Sequence, residues 1–380
     1  MEGHQDGLRA EVASFAADFG ATYHADVLAG RDSPDRLWEA LARRGWLGLH
    51  LPAKVGGGGR GLAETAVVVE ELAAAGSPVL GMLFSPGVVG AVLAAHATPD
   101  QARRWLEPVA RGRLRAAFAL TELDAGSNTH AIATRARRTG GGHVLRGEKH
   151  WVSGADRAAL LLVLAVTEPA RDDARAQLTL FAVDREAPGV RLSPMPTAIE
   201  VPERQFAVSL DEVAISDDRR IGASGQGLRV AFSGMSVERV LTGALCVGIG
   251  RHALGLAARR VTDRQVWGRP LGGHQGVAHP LADAWIRLEA AGTMVARAAA
   301  EHDAGLPAAR AANVAKYLGA EAGGEALDRA IQVHGGLGVA PETGLTRYWW
   351  LVRTLRIGPV AQELVLNDVA ERCLGLPRPA

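Results

Sequence analysis

The sequence predicts an α+β fold: an N-terminal all-α domain, a middle antiparallel β domain or barrel, and a C-terminal four-helix bundle. Apolar residues recur at helical spacing up to about residue 115, alternate with period two between about 116 and 222, and return to helical spacing from about 227. We therefore predict domains at residues 1–115, 116–222 and 223–380. Cofactor sites tend to lie in the seams between such layers.

The composition describes a globular chain with little net charge. Of 380 residues, 48% are hydrophobic and 22% are charged, and the formal charge is +1. Because no field of one sign attracts nucleic acid or an anionic membrane, we expect neither as a partner and favour small-molecule chemistry. Two cysteines, Cys246 and Cys373, are too few for a disulfide framework and are interpreted as packing residues.

The first segment, residues 8–115, is predicted to be a helical bundle broken by Pro and Gly clusters. Ser33 and Asp100 are the predicted N-caps, since each lies next to a proline that suits a first helical turn. The first twenty residues lack the basic start and continuous apolar core of a secretory signal. The longest apolar run, residues 158–166, is far shorter than the roughly 20 residues that span a bilayer, so we expect a cytoplasmic chain.

The middle segment contains short runs typical of strands, with Gly, Pro and Asp between them. The runs are AFAL, HVLRGEKHWV, ALLLVLAV, QLTLFAVD, GVRLSPM and QFAVSLDEVAI. Their short separation leaves no room for crossover helices, which favours antiparallel pairing. Helical spacing after them predicts four helices, at roughly 227–260, 276–303, 307–334 and 342–373.

Three long stretches of the chain resemble the acyl-CoA dehydrogenase family. They are FALTELDAGSNTHAIATRARRTGGGHVLRGEKHWVSGA (118–155), VERVLTGALCVGIGRHALGLAARRVTDRQVWGRPLGGHQGVAHPLADAWIRLEAA (237–291) and IQVHGGLGVA (331–340). The resemblance covers essentially the whole chain, and the family fold matches the three-part order given by the periodicities. It implies an FAD-dependent oxidoreductase of fatty acid metabolism that acts on the CH–CH group of an acyl thioester, carried on coenzyme A or an acyl carrier protein. It also implies an electron-transferring flavoprotein as partner and a homodimer or homotetramer.

On this resemblance, one group of residues is assigned to the flavin end of FAD. Phe118, Thr121 and Ser127 lie at the end of a predicted strand and in the small-residue loop after it, which permits close approach of the backbone to a planar ring. Ser127 is assigned to the substrate as well. Trp151 and Ser153, two residues apart on a strand, are expected on one face against the flavin.

A second group is assigned to the FAD of a neighbouring subunit. The segment RQVWGRPLGGHQ is too rich in Gly and Pro to stay helical, and an Arg in it can grip pyrophosphate. The paired glycines of QVHGG let a backbone approach a ligand. The residues assigned on these two motifs are Arg264, Trp267, Gln275, Gln332, Gly335 and Gly336. If both motifs hold, FAD binding requires at least a dimer.

The histidines carry no metal prediction. No carboxylate or cysteine accompanies them at ligand spacing, so we predict no metal site. The histidines considered are His130, His143, His150, His274 and His279.

The usual position of the catalytic base carries no carboxylate. Most family members place a Glu in the last helix at a fixed spacing after the Gln of the QVHGG motif, and that spacing leads here to Pro359, or to Ile357 in a slipped register. Members resembling isovaleryl-CoA and long-chain acyl-CoA dehydrogenases carry the base on the first helix of the C-terminal bundle, just before an Arg. Glu238, followed by Arg239, matches that placement. We assign Glu238 as general base and Arg239 to substrate binding.

Other interpretations stay open at this point. Glu238 could instead pair with a neighbouring Arg without a catalytic role, and Glu363 is a poorer candidate for the base. Pro359 at the usual base position keeps two other functions open. One is a flavin-dependent monooxygenase or oxidase on the same scaffold, and the other is a catalytically silent homologue that binds an acyl thioester.

Overall fold

The computed structural model describes residues 2–170 and 175–377, with side chains from residue 6 onward. The first part of the chain is helical, as the sequence predicts. Its α-helices are α1 Glu2–Ala16, α2 Ala21–Leu28, α3 Pro34–Arg43, α4 Leu62–Ala74, α5 Leu80–Met82, α6 Ala91–His96, α7 Pro99–Gln101 and α8 Glu107–Ala110. Two π-helical segments, Leu83–Gly90 and Ala102–Leu106, connect α5 to α6 and α7 to α8.

Of the two predicted N-caps, one is confirmed and one is wrong. The hydroxyl of Ser33 accepts a hydrogen bond from the backbone N–H of Asp35 at the start of α3. At α7 the cap is Thr98, and Asp100 lies inside the first turn. Thr98 and Gln101 each accept the other's backbone N–H, because a Gln three residues after a Thr has the spacing of a capping box.

The middle part forms a sheet with mostly antiparallel pairing. Its strands are β1 Ala116–Ala119, β2 Arg135–Thr139, β3 Gly142–Ser153, β4 Leu160–Glu168, β5 Gln177–Asp184, β6 Val190–Pro194, β7 Gln205–Ser216 and β8 Arg220–Ile221. Their order is β6-β7-β3-β2-β4-β5-β8, and β1 also pairs with β4. The prediction of antiparallel pairing is confirmed except at β4, where β1 and the first residue of β2 pair in parallel. The β2–β3 hairpin lies between β1 and β4, which makes the connection long enough for parallel pairing.

The last part is a helical bundle with one hairpin inserted. Its helices are α9 Gly227–Phe232, α10 Met235–Asp263, α11 Gln275–Asp303, α12 Ala309–His334, α13 Leu345–Ile357 and α14 Gln362–Arg372, and its short strands are β9 Gln265–Val266 and β10 Arg269–Pro270. The prediction of a single helix over 342–373 is wrong. The chain breaks between α13 and α14, where Gly358 has extended backbone and Pro359 cannot donate a helical hydrogen bond.

Helices α10 and α12 cross at glycines, and their backbones touch. A Cβ atom added at Gly319 would lie 2.8 Å from the Cα of Gly243, and one added at Gly243 would lie 2.9 Å from the carbonyl oxygen of Ala315. Among the described residues, one helical stretch, Gly227–Asp263, is long and apolar enough to cross a membrane, but 78% of its apolar window is buried within the protein. This burial is what a core helix shows.

The two cysteines differ in their surroundings. Cys246 is buried in α10, as expected of a packing residue, and burial raises the pKa of its thiol to about 12. Cys373 is exposed just after α14, so its interpretation as a packing residue is wrong.

Candidate active site

Glu238 lies in the first turn of α10 and is completely buried, with 0% of its surface exposed. Its helix presents Gly234 and Leu241 on the same face, and the π-helical segment Leu83–Gly90 packs against both. A Cβ atom at Gly234 would lie 2.8 Å from the carbonyl oxygen of Val88, and one at Gly87 would lie 3.1 Å from a methyl of Leu241. The carboxyl group is therefore held in a water-poor space between two helical segments.

The two oxygens of the Glu238 carboxyl differ in their hydrogen bonds. Oε1 accepts a hydrogen bond from the hydroxyl of Thr242, one helical turn away. Oε2 is buried and accepts no hydrogen bond from a described residue. Burial raises the pKa of Glu238, opposed by the positive charge of Lys316, the Thr242 hydrogen bond and the charge of Arg239. A buried carboxyl with one free oxygen and a raised pKa has the properties of a general base.

Arg239 is half-buried behind Glu238. Its Nε, like the Oε2 of Glu238, has no hydrogen-bond partner among the described residues, so the geometry does not favour a simple pairing of the two neighbours. Burial lowers the pKa of Arg239, against the opposing charges of Glu238 and Asp368. On these two consecutive residues, one guanidinium nitrogen keeps its capacity to donate a hydrogen bond and one carboxyl oxygen keeps its capacity to accept one.

Lys316 completes the charged cluster and was not singled out in the sequence. Its ammonium is buried, and it donates a hydrogen bond to the carbonyl oxygen of Val360 in the break between α13 and α14. Burial lowers the pKa of Lys316, while the negative charge of Glu238 opposes that effect. The signal in the sequence was a single Lys in the Ala- and Gly-rich stretch AANVAKYLGAEAGG (311–324), which includes the α10–α12 crossing.

Pro359, which carries no carboxylate, precedes the residue whose carbonyl oxygen Lys316 contacts. Glu363, the poorer candidate, is exposed in the first turn of α14. Glu238 is therefore the carboxyl that the structure buries in this region.

The residues assigned to the flavin lie where β1 leaves the sheet beside β3. The backbone N–H of His150 donates to the carbonyl oxygen of Thr121 at 2.8 Å, which places Thr121 next to Trp151. Phe118 and Thr121 are half-buried and Ser127 is exposed in the loop that follows. A Cβ atom added at Gly126 would meet no atom within 4 Å, so this loop borders open space.

Trp151 and Ser153 do not follow the regular strand alternation on which their prediction depends. Trp151 has a left-handed φ of 59°, and the pairing of β3 with β7 is irregular between Lys149 and Val152. The indole is 51% exposed, which is compatible with a stacking surface rather than a core filler. Ser153 exchanges hydrogen bonds of 3.0 and 3.1 Å with the side chain of Gln205, a neighbour that the sequence did not reveal.

A buried ion pair supports this corner of the sheet. Lys149 is 0% exposed and its ammonium lies 2.7 Å from Oε1 of Glu122 and 3.0 Å from the carbonyl oxygen of Leu120. Glu122 also accepts the backbone N–H groups of Ala133 at 2.7 Å and Thr134 at 3.0 Å. The pair thus ties the exit of β1 to β3 and to the loop before β2.

The residues assigned to a neighbour's FAD are exposed at one end of the bundle. Arg264 caps the C-terminal end of α10, and Trp267, with φ of 50° and 89% exposed, forms the turn of the β9–β10 hairpin with Gly268. The segment is thus a hairpin rather than an irregular loop, and Gln275 is the first residue of α11 rather than a loop residue. Gln332 lies near the end of α12.

The glycine pair that follows α12 is arranged as its motif predicts. Gly335 ends the helix with φ of 61°, and a Cβ atom at Gly335 or Gly336 would meet nothing within 4 Å. Their backbones are therefore free to approach another molecule. The open space at Gly126 and at these two glycines is compatible with the FAD contacts assigned from the sequence.

Comparisons with known proteins identify the family of the chain. Profiles described as the N-terminal, middle and C-terminal domains of acyl-CoA dehydrogenase match residues 2–113, 117–211 and 225–374. Acyl-CoA dehydrogenase FadE12 of Mycobacterium tuberculosis (strain ATCC 25618 / H37Rv) is 43% identical over 98% of this chain and 97% of its own. Benzylmalonyl-CoA dehydrogenase of Aromatoleum aromaticum (strain DSM 19018 / LMG 30748 / EbN1) is 30% identical over 97% of each chain. The solved structure of PigA with FAD and proline is 25% identical over 98% of each chain, with a TM-score of 0.91.

The three-part fold and the three matching domain profiles define a flavoprotein oxidoreductase. The chain belongs to the acyl-CoA dehydrogenase family, whose members are FAD-dependent oxidoreductases acting on CH–CH groups. This confirms the resemblance, the fold class, the enzyme class and FAD as the cofactor. The predicted domain boundaries and the roles of individual site residues stay predictions.

Proposed function

We propose that this protein dehydrogenates an acyl thioester between Cα and Cβ and that Glu238 takes the α-proton. The observation that carries this proposal is the state of the Glu238 carboxyl, which is fully buried and has one oxygen without a partner among the residues that the structure describes. Removal of a proton next to a thioester carbonyl needs such a group, because a desolvated carboxylate is a stronger base than one in water.

The neighbours of Glu238 support the same role. Thr242 fixes Oε1, so Oε2 is left to face the reacting carbon. After proton transfer Glu238 is neutral, which is the form that burial favours. Lys316, anchored on the carbonyl of Val360, holds positive charge near the carboxylate before the transfer. When bound, FAD supplies the acceptor for the hydride that leaves Cβ.

The remaining assignments follow from exposure and position. Phe118, Thr121, Trp151 and Ser153 hold the flavin end of FAD at the exit of β1 and along β3. Ser127 and Arg239 bind the thioester and its carrier, which is coenzyme A or an acyl carrier protein.

The exposed segments at the end of the bundle support an oligomer. Arg264, Trp267, Gln275, Gln332 and the paired glycines reach a neighbour's FAD, so the protein works as a homodimer or homotetramer. Large apolar side chains exposed on this half of the chain, Trp267, Trp285, Ile286 and Trp350 among them, support such contacts. We also propose that an electron-transferring flavoprotein accepts the electrons and that the protein is cytoplasmic.

The test is substrate-driven bleaching of the flavin in matched variants. Glu238→Gln keeps the shape of the side chain and removes the base, so we expect bound FAD to be retained and reduction by an acyl-CoA to slow by at least about 100-fold. Glu363→Gln is the control, because Glu363 is an exposed carboxyl at the start of α14. We expect its reduction rate to match that of the wild-type protein.

Other outcomes distinguish the alternatives. Normal reduction in Glu238→Gln removes Glu238 from the role of base. Oxygen uptake by the reduced flavin without turnover of any acyl thioester indicates a flavin-dependent monooxygenase or oxidase. Tight thioester binding with no bleaching in the wild-type protein indicates a silent binding homologue.

A further inference from the structure

A cavity of about 60 Å³ lies between the N-terminal helices and the sheet, at some remove from Glu238. This volume holds roughly four to six water-sized groups, which is the size of a short chain end. Its walls are mostly apolar. They include Val27, Leu37, Trp38, Val79 and Phe84.

The cavity adjoins both the flavin residues and the helical segment that covers Glu238. Ser153, assigned to the flavin, is one of its lining residues. Phe84 also lines it, and Gly87, one turn further along the same π-helical segment, packs on Leu241 beside Glu238. The cavity wall is therefore continuous with residues assigned to the flavin, through Ser153, and with the segment that packs beside Glu238, through Phe84.

Two residues that line this cavity have buried polar atoms without a partner among the described residues. Glu203, in the segment before β7, lines the cavity, and its Oε1 accepts the backbone N–H of Gly81 at 2.7 Å. Its Oε2 is buried and unpaired among the described residues. His24 of α2 also lines the cavity, is only 2% exposed, and has an unpaired, buried Nε2. A hydrocarbon chain end would leave both groups unsatisfied, which is costly in a buried site.

The charged and titratable groups around the cavity include Glu203, His24 and two arginines. Burial raises the pKa of Glu203, against the Gly81 hydrogen bond and the charges of two arginines. Burial lowers the pKa of His24 to about 4, so its imidazole is neutral at pH 7. The two arginines, Arg115 and Arg157, share one carboxylate, that of Asp35, at 2.6 and 2.9 Å. His24 thus offers a neutral hydrogen-bonding group, and a hydroxyl can bond to Oε2 of Glu203 whether that carboxyl is ionised or protonated.

We propose that this cavity binds the end of the acyl chain and that Glu203 and His24 select a chain that ends in a hydroxyl group. A hydroxyl both donates and accepts, so it can satisfy a carboxyl oxygen and an imidazole nitrogen together. A methyl group of the same size satisfies neither. This inference rests on the proposed acyl-thioester function and names its substrate class as hydroxyacyl thioesters.

The experiment measures binding separately from turnover. The probes are S-alkyl thioethers of coenzyme A, which have no carbonyl and cannot be dehydrogenated through α-proton removal. At each chain length, one probe ends in a methyl group and one in a hydroxyl group. Two further probes of that length end in a carboxylate and in an amine. Dissociation constants for the FAD-loaded protein are measured by titration calorimetry. We expect the hydroxyl member to bind on the order of tenfold more tightly than its methyl partner at the best length.

Variants connect this preference to the cavity. Glu203→Met fills the same volume without polar atoms, so the preference for hydroxyl should disappear or reverse. Glu203→Gln keeps an acceptor for the Gly81 N–H and should reduce the preference for the hydroxyl-ended probe. This variant provides the test if Glu203→Met does not fold. Glu200→Gln is the matched control, because Glu200 lies on the same segment but pairs outward with Arg347 at 2.8 Å. It should keep the wild-type preference.

The outcomes separate this inference from the proposed function. The inference is overturned if the methyl-ended and hydroxyl-ended probes have equal dissociation constants, or if the methyl-ended probe binds more tightly, at every chain length. It is also overturned if the carboxylate-ended or amine-ended probe binds more tightly than the hydroxyl-ended one. Failure of every acyl-CoA to bleach the flavin counts against the proposed function alone, because the thioether ratios do not depend on chemistry.

Discussion

The buried pair of Glu122 and Lys149 allows a stability prediction that depends on which partner is removed. Glu122→Gln leaves the ammonium of Lys149 buried without its countercharge. It also turns an acceptor oxygen into an amide donor next to a backbone N–H. Lys149→Met removes the buried cation and leaves Glu122 with the two backbone N–H donors that it already has. The first change should therefore cost more than the second.

The size of the effect follows from the burial of Lys149. Desolvation lowers its pKa to about 8 from a usual value of 10.5, even though Glu122 opposes the shift. At about 1.4 kcal/mol for each pKa unit, charging this group in the folded protein costs about 3 kcal/mol. Removing one partner of a buried pair typically costs about 3–5 kcal/mol, which we expect for Glu122→Gln. For Lys149→Met the relief of desolvation offsets the lost contacts, and we expect a cost of about 1 kcal/mol.

The same shift predicts how stability depends on pH. Between about pH 8 and 10.5 the unfolded chain keeps the Lys149 proton and the folded chain has lost it, so the free energy of unfolding rises with pH in this window. The difference between wild-type protein and Lys149→Met should grow by about 3 kcal/mol across it. Urea unfolding of the FAD-loaded proteins measures the cost of each substitution and its change with pH. The free energy of unfolding should depend on urea concentration with the same slope in each protein. The reasoning is refuted if Lys149→Met costs as much as Glu122→Gln or if the difference does not change with pH.

Two further predictions concern the bundle. Gly248→Ala places a methyl group against the carbonyl oxygen of Glu70, so we expect a loss of about 1–3 kcal/mol in the free energy of unfolding, measured by urea titration. Lys316→Met removes a charge that lowers the pKa of Glu238, so the acid limb of the pH profile for flavin reduction should move to higher pH, as measured by stopped-flow absorbance.

Each of these two predictions has its own check. Gly255→Ala is the control for Gly248→Ala, because its added methyl meets only the guanidinium of Arg259, at 3.8 Å, and should stabilise α10 by up to about 1 kcal/mol. Equal effects at the two glycines would contradict the close packing of α10. For Lys316→Met, a lower rate with an unchanged pH profile would mean that Lys316 only supports the fold.

The spacing of apolar residues predicted most helices and strands, because each of them has a spacing that can be recognised within its own segment. Residues 160–168 read as a strand, since apolar side chains fill both faces. The missed strand Arg135–Thr139 has an arginine-rich sequence, and of its residues only Ala136 is buried. The break before α14 was missed because apolar spacing continues on both sides of Pro359, and only the proline itself interrupts it.

The site was predictable where its residues belong to contiguous motifs. Glu238 was assigned because Arg239 follows it and because Pro359 stands at the usual position of the base. The structure shows that Glu238 is buried. Lys316, Gln205 and Glu203 were not found, because their importance comes from partners distant in the chain: Val360, Ser153 and Gly81. Nothing in local spacing reveals such contacts.

The cavity described above separates recognition of the chain end from proton transfer. Its polar groups come from α2 and from the segment before β7, whereas Glu238 belongs to α10. Mutations in the first two regions can therefore change which acyl group is accepted while the reacting groups stay as they are. Because of this division, changes at Glu203 and His24 can give new substrate specificities during evolution while catalysis is retained.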